Sequence, residues 1–126
     1  MKNSYIYIIL VVAIIGGLVL LRGNSSVEKP QDVSQYDDFA QCIADTGAVF
    51  YGAYWCPHCQ DQKEMFEQSK NLPYVECSTA NGQGQTKICA DENITGYPTW
   101  KFADGSSIDG LLSFDDLSEK TGCDLP

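Results

Sequence analysis

Histidine and basic residues are scarce in this chain of 126 residues. The single histidine, His58, excludes metal sites built from several histidines and leaves little room for a Ser-His-Asp hydrolase. Lysine and arginine total 8 against 17 aspartates and glutamates, which gives a net charge of −9. No arginine follows Arg22, and all the acidic residues lie from Glu28 onward. Phosphate backbones repel a chain of this charge, so we expect no nucleic-acid partner.

The six cysteines are an even number and a dense one for so short a chain. They indicate either disulfides formed in an oxidising compartment, or a zinc or redox protein. Cys56 and Cys59 form a CxxC pair, and a zinc site would need a second such pair or two histidines. We therefore expect no metal and no other cofactor.

A run of 17 uncharged residues extends from Tyr5 to Leu21, flanked by Lys2 and Arg22. As a helix it would be roughly 25 Å long, near the lower limit for crossing a bilayer. The sequence therefore predicts an N-terminal transmembrane anchor at residues 1–22, with a cleaved signal peptide as the alternative. Residues 23–36 are polar and predict a linker, and residues 37–126 predict one domain. Because its cysteines suit an oxidising compartment, we expect that domain on the extracytoplasmic side, whether periplasmic, lumenal or extracellular.

Strand-like and helix-like segments alternate through the predicted domain. The strand-like segments are rich in aromatic and β-branched residues, and the helix-like ones have apolar residues three or four apart or good helix formers. This alternation, closed by a terminal hairpin, predicts an α/β domain with a mixed central sheet flanked by helices. The predicted elements are a helix that begins at Asp37, strands at 48–55, 74–76, 98–103 and 107–109, and helices at 58–69, 86–92 and 114–120.

The segment Cys56-Pro57-His58-Cys59 follows the first predicted strand and begins a helix, whose first turn suits Pro57. A thiol at a helix N-terminus meets unpaired N–H groups and the positive end of the helix dipole, which favour the thiolate. We therefore expect Cys56, at the exposed end of the helix, to be the attacking and attacked sulfur. Cys59, inside the first turn and more buried, would resolve mixed disulfides.

His58 lies between the two cysteines in the sequence. As a partial cation it would stabilise the Cys56 thiolate further, and a stabilised dithiol means an oxidising disulfide. The alternative is that His58 is a surface residue of the first helical turn without a redox role.

The segment from Tyr54 to Cys59 resembles the active site of the thioredoxin superfamily. Tyr97-Pro98-Thr99 resembles the cis-proline segment of that family, which faces the CxxC pair and binds the partner chain through the backbone before the proline. The resemblance implies a thioredoxin fold and a docking role for Pro98, which would otherwise be an ordinary residue at the start of a strand. Trp55 and Tyr97 are candidates to shape the partner groove, with core positions as the alternative.

Longer motifs sharpen this resemblance, namely FYGAYWCPHCQDQKEMF, YVEC, QTKIC, GYPTW and EKTGC, all between residues 50 and 123. They resemble the thioredoxin-like domain often fused to vitamin K epoxide reductase (VKOR) homologues. The resemblance implies Cys56 and Cys59 as the exchanging pair and Pro98 as the docking proline. It also implies a redox partner, a VKOR-like membrane protein that passes electrons to a quinone. Since the sequence has a single hydrophobic segment, we expect this partner to be a separate chain.

Four cysteines remain beside the CxxC pair, and three pairings among them are open. Cys77 and Cys89 bracket one loop, while Cys42 and Cys123 lie near the two ends of the domain. Together with the family resemblance, these positions favour Cys42–Cys123 and Cys77–Cys89 as structural disulfides. Buried free thiols, or a relay that passes electrons to the CxxC pair, are the alternatives.

The sequence thus predicts a membrane-tethered thiol–disulfide oxidoreductase that oxidises cysteine-containing protein substrates and is re-oxidised by the VKOR-like partner. Reducing thioredoxins usually carry a buried Asp six residues before the first active cysteine, and this chain has Phe50 there. That departure favours oxidation. The alternatives are a membrane-anchored reductase and a disulfide-stapled binding module with an inert CxxC pair.

Overall fold

The computed structural model describes residues 34–126. The predicted anchor at residues 1–22 and almost all of the predicted linker at 23–36 lie outside the described residues. Within residues 34–126, no helix has both the length and the apolar character needed to cross a membrane.

Helices and strands alternate along the described part of the chain. They follow in the order α1 (Asp37–Asp45), β1 (Val49–Gly52), α2 (Pro57–Met65), β2 (Tyr74–Glu76), α3 (Lys87–Asp91), β3 (Thr99–Lys101), β4 (Ser107–Asp109) and α4 (Phe114–Thr121). The strands form one four-stranded sheet in the order β2-β1-β3-β4. β1 is parallel to β2 and antiparallel to β3, which forms a hairpin with β4. The predicted mixed sheet is therefore confirmed.

The first strand is shorter than the predicted segment 48–55, because the chain turns after Gly52. The amide of Cys56 donates a 3.0 Å hydrogen bond to the carbonyl of Ala53, which closes a tight turn between β1 and α2. Cys56 is thereby placed where the strand ends and the helix begins.

The second helix ends at Met65 instead of continuing to residue 69 as predicted. Glu67 and Gln68 adopt positive φ angles of 50° and 58°, and the amide of Gln68 donates back to the carbonyl of Lys63. Residues in the left-handed region cannot continue a right-handed helix. The predicted helix was too long because its composition favours helix throughout and contains no glycine or proline to mark this stop.

Alternate residues of β1 pack into two clusters on opposite faces of the sheet. Phe50 stacks on Trp100 of β3, with ring centroids 5.0 Å apart, in the larger cluster, which includes residues of α1, α2 and α4. Tyr51 belongs to the smaller cluster, together with Cys89 of α3 and with Ile94. Because successive strand residues point to opposite faces, helices flank the sheet on both sides.

A buried glutamine fixes α2 to the rest of the core. The side-chain oxygen of Gln62 accepts hydrogen bonds from the indole of Trp100 (3.3 Å) and from the amide of Leu112 (2.9 Å). Its side-chain amide donates to the carbonyl of Leu112 (3.1 Å). Since each of these buried polar groups has a partner, the helix that carries the CxxC pair is held in one position.

Two disulfides close the domain at separate places. Cys42 of α1 is joined to Cys123 across a separation of 81 residues, and Cys77 is joined to Cys89 of α3 across 12 residues. These are the pairs that the sequence and the resemblance favoured. In the chain-entropy account they stabilise the fold by about 4.5 and about 3 kcal/mol, because the longer loop loses more freedom when it is closed.

Candidate active site

Cys56 and Cys59 lie at the N-terminal turn of α2. Cys56 directly precedes the helix with an extended backbone, and Pro57 occupies the first helical position. Both cysteines are free thiols, and they expose 6% and 1% of their surface. Cys59 is the more buried of the two, as predicted, but Cys56 is far less exposed than a free helix end would be.

The segment before β3 accounts for the low exposure of Cys56. The peptide bond between Tyr97 and Pro98 is cis, and Pro98 is fully buried. The carbonyl oxygen of Tyr97 lies 3.7 Å from the Cys56 sulfur. The fold therefore brings the predicted docking segment against the CxxC pair.

Trp55 and Tyr97 lie side by side next to Cys56. Their ring centroids are 5.9 Å apart, and the rings meet edge to face. The indole N–H of Trp55 donates a 2.8 Å hydrogen bond to the hydroxyl of Ser78, and the hydroxyl of Tyr97 accepts one of 3.0 Å from Gln85. Trp55 is 50% exposed, so it is a surface residue and not a core residue. Both rings are held by the segment 78–85, which the Cys77–Cys89 disulfide encloses.

His58 lies on the surface of α2. Its side chain is 73% exposed, and its Nδ1 atom is 3.6 Å from the carboxylate of Asp61. His58 is therefore a surface residue of the first helical turn, which is the position that the alternative interpretation predicted. Stabilisation of the thiolate by His58 stays a prediction.

Burial dominates the acid–base chemistry of Cys59. It raises the pKa of the Cys59 thiol well above the ordinary range, and a side-chain hydrogen bond with Cys56 raises it further. A backbone hydrogen bond from Ala53 and the charge of Lys63 act in the opposite direction but are weaker. Cys59 therefore remains a thiol at neutral pH and has to lose its proton when it reacts.

Three further residues lie around Cys59 that the sequence did not single out. Lys63 lies one turn further along α2, with its Nζ atom 3.4 Å from the ring centroid of Tyr74. The hydroxyl of Tyr74 donates a 2.6 Å hydrogen bond to the carboxylate of Glu76. The sequence contains one sign of this group, the i, i+4 spacing of Cys59 and Lys63. The other contacts depend on how β1 pairs with β2.

Thiol–disulfide exchange is the chemistry that this arrangement suits. Within residues 34–126 no group of three or more His, Cys, Asp or Glu side chains could hold a metal ion. Four cysteines of this part are closed in disulfides, which leaves Cys56 and Cys59 as its free thiols. The Cys56 sulfur lies next to the carbonyl of Tyr97, and Cys59 lies in the first turn of the helix that Cys56 precedes.

The sequence is similar to one protein family and to several characterised proteins. The sequence model of the family described as Thioredoxin matches residues 26–119. Thiol-disulfide oxidoreductase LTO1 of Arabidopsis thaliana is 44% identical over 91 residues, which cover 68% of this chain and 24% of that protein. Thioredoxin domain-containing protein 5 homolog of Drosophila melanogaster is 32% identical over 82 residues, which cover 56% of this chain and 19% of that protein. Protein disulfide-isomerase of Aspergillus oryzae is 28% identical over 97 residues, covering 69% and 18% respectively. The chain spans about a quarter or less of the length of these relatives.

Proposed function

The chain belongs to the thioredoxin family, and we propose that it is a membrane-tethered thiol–disulfide oxidoreductase that oxidises dithiols in protein substrates. The observation that carries this proposal is the position of the Cys56 sulfur, which lies at the start of α2 and 3.7 Å from the carbonyl oxygen of Tyr97. The enzyme class, a thiol–disulfide oxidoreductase, agrees with the family and with the names of the Arabidopsis and Aspergillus relatives.

Substrate oxidation begins with the Cys56–Cys59 disulfide. A substrate thiolate attacks the sulfur of Cys56, the more accessible of the two, and Cys59 leaves as a thiolate that takes up a proton. The second substrate thiolate then attacks the substrate sulfur of the mixed disulfide, and Cys56 leaves. Two electrons have passed from the substrate to the CxxC pair, and the substrate holds a new disulfide.

Re-oxidation of the Cys56–Cys59 dithiol by the redox partner uses the same two sulfurs in the reverse order. Cys56 attacks a disulfide of the redox partner and forms a mixed disulfide, and one partner thiolate leaves. Cys59 loses its proton and attacks Cys56, which releases the second partner thiolate and restores the Cys56–Cys59 disulfide. The partner has then taken up the two electrons that came from the substrate.

The substrate or partner segment that carries the reacting cysteine would lie along the backbone before Pro98. Tyr97 offers its carbonyl there, and the half-exposed ring of Trp55 packs edge to face on Tyr97. The half-exposed ring of Tyr54 lies near Trp55, since both approach Gly82. An extended peptide could bond to this backbone while its side chains contact the aromatic rings. Recognition would then depend on the peptide backbone and on a few apolar side chains.

Electron flow from substrate to membrane has two lines of support. The two structural disulfides are typical of an oxidising compartment, and oxidation of substrate dithiols suits such a compartment. In addition, β1 places Phe50 in the core, at the position where reducing thioredoxins usually carry a buried Asp. The membrane tether rests on the apolar run from Tyr5 to Leu21, and the VKOR-like quinone-linked partner rests on the sequence resemblance.

The reduction potential of the Cys56–Cys59 pair tests the direction. The chain is equilibrated in glutathione buffers of stepped composition, and the fraction of dithiol is read by thiol alkylation and mass shift. A potential in the range of roughly −120 to −180 mV supports the oxidase, whereas one near −270 mV supports the membrane-anchored reductase. If Cys56 of the reduced chain is not alkylated at neutral pH, the chain is a stapled binding module and not an enzyme.

A further inference from the structure

Cys59 is a buried thiol of the CxxC pair and needs a proton acceptor when it reacts. Cys59 exposes 1% of its surface, yet its attack on a mixed disulfide requires the thiolate. β1, which runs next to it, has the sequence VFYG and supplies no carboxylate. An acceptor for this proton therefore has to come from another element.

Gly52, at the end of β1, has no side chain, which allows Cys59 and a residue of the neighbouring strand to approach each other. A Cβ atom on Gly52 would lie 2.9 Å from the sulfur of Cys59 and 2.9 Å from Cε2 of Tyr74. Both side chains thus approach the same point beside Gly52. Cε2 is the ring carbon next to the one that bears the hydroxyl, so the polar edge of Tyr74 faces the region of the thiol.

The hydroxyl of Tyr74 leads directly to a carboxylate. It donates to Oε2 of Glu76, which lies opposite Gly52 in the pairing of β1 with β2. The other oxygen, Oε1, accepts from the amides of Ser78 (2.8 Å) and Tyr54 (3.2 Å). Glu76 is therefore fixed in place, and it is only partly buried, which leaves it in contact with solvent.

We propose that Tyr74 and Glu76 form the path by which Cys59 loses its proton when it attacks a mixed disulfide on Cys56. The proposal rests on the proposed exchange function. The S–H proton of Cys59 passes to the phenol oxygen while the phenol proton passes to Glu76. The Cys59 thiolate forms a bond to Cys56, the bond between Cys56 and the partner sulfur breaks, and the partner leaves as a thiolate.

The charged and titratable groups that face Cys59 agree with this path. From α2 these groups are Cys56 and Lys63, and from β2 they are Tyr74 with its partner Glu76. Burial raises the pKa of Tyr74 above its ordinary value, and the hydrogen bond to Glu76 raises it further. The phenol stays neutral, so it can accept one proton while it donates another. In the reverse reaction the same path returns a proton to Cys59 as it leaves.

Two-phase kinetics of the full-length reduced chain test the proposal. An aromatic disulfide that releases a coloured thiolate is added in excess. The first coloured equivalent reports attack by Cys56, and the second reports attack by Cys59 on Cys56. We expect Tyr74→Phe and Glu76→Gln to slow the second phase on the order of 100-fold near neutral pH, and to leave the first phase unchanged. The deficit shrinks as the pH rises, because hydroxide replaces the missing acceptor, and Glu76→Asp restores part of the rate.

Glu119→Gln is the matched control, because it removes an exposed carboxylate of α4 and should change neither phase. A second phase that is unchanged in both variants overturns the proposal. A deficit that is the same at every pH also overturns it, because it indicates a structural role for the pair. If the wild-type chain lacks the first phase, Cys56 is not a nucleophile and the proposed function itself is wrong.

Discussion

The indole N–H of Trp55 donates a 2.8 Å hydrogen bond to the hydroxyl of Ser78, the residue that follows Cys77. The aromatic ring next to Cys56 is thus held by the segment that the Cys77–Cys89 disulfide encloses. Within that segment, the amide of Thr79 donates to the carbonyl of Gly84 (2.9 Å), so the segment has its own hydrogen-bonded shape. A structural disulfide therefore contributes to the shape of the proposed docking groove.

Ser78→Ala should loosen Trp55 without unfolding the domain. The lost hydrogen bond corresponds to about 1 kcal/mol. Solvent exchange of the Trp55 indole N–H, followed by NMR, should become faster. The chain has 2 tryptophans, and the indole of Trp100 bonds to the buried Gln62, so its exchange is the internal control. Equal exchange of Trp55 in the wild type and the variant would contradict the role of Ser78.

Gly52→Ala should disturb the site more than its small size suggests. The added Cβ would lie 2.9 Å from the side chains of both Cys59 and Tyr74, so at least one of them must move. Overpacking of this kind costs roughly 1–3 kcal/mol, which urea unfolding of the variant would measure. Gly96→Ala is the matched control, because a Cβ there meets no atom within 4 Å. Similar losses of stability for the two variants would mean that the side chains around Gly52 are not tightly packed.

Asp104 should make the stability of the domain depend on pH in the acid range. Hydrogen bonds from Ser106, followed by one from Lys120, lower the pKa of Asp104 from 3.8 to about 2. Because the folded pKa is the lower one, the stabilisation is present above pH 3.8 and is lost as the pH falls through about 2. Asp104→Asn should therefore be less stable than the wild type at neutral pH, and the difference should vanish below about pH 2. Urea unfolding at stepped pH measures this, and a difference that does not change with pH would assign the effect to the hydrogen bonds of the side chain alone.

The sequence predicted where the CxxC pair lies and which elements surround it, because these features are local. A CxxC pair after a strand and before a helix, and Pro57 in the first turn, can each be read within a few residues. The surroundings of Cys59 are not local, since they depend on the register that places Glu76 opposite Gly52. Gly52 matters there because it lacks a side chain. A glycine in a predicted strand does not reveal which two side chains meet beside it.

Cysteine substitutions decide which sulfur exchanges with substrate. In Cys59→Ser, a mixed disulfide formed at Cys56 loses the thiol that would release it, so complexes with substrate proteins should accumulate. In Cys56→Ser, the remaining thiol exposes 1% of its surface, and this burial still raises its pKa, so far fewer complexes should form. Non-reducing gels of the full-length variants, with a duplicate lane treated with reductant, measure the trapped fraction.

Pro98→Ala provides the second part of this prediction, because it alters the docking segment and leaves both thiols in place. The carbonyl of Tyr97 lies 3.7 Å from the sulfur of Cys56, and the ring of Pro98 next to it is fully buried. Loss of that packed ring shifts the backbone that faces the mixed disulfide. Resolution should then slow, and complexes should accumulate although Cys59 is intact. A double variant, Pro98→Ala with Cys56→Ser, should remove these complexes, since they depend on the Cys56 sulfur. Equal trapping by the two single cysteine variants, or none by Cys59→Ser, would reverse the assignment and favour a binding module with an inert pair.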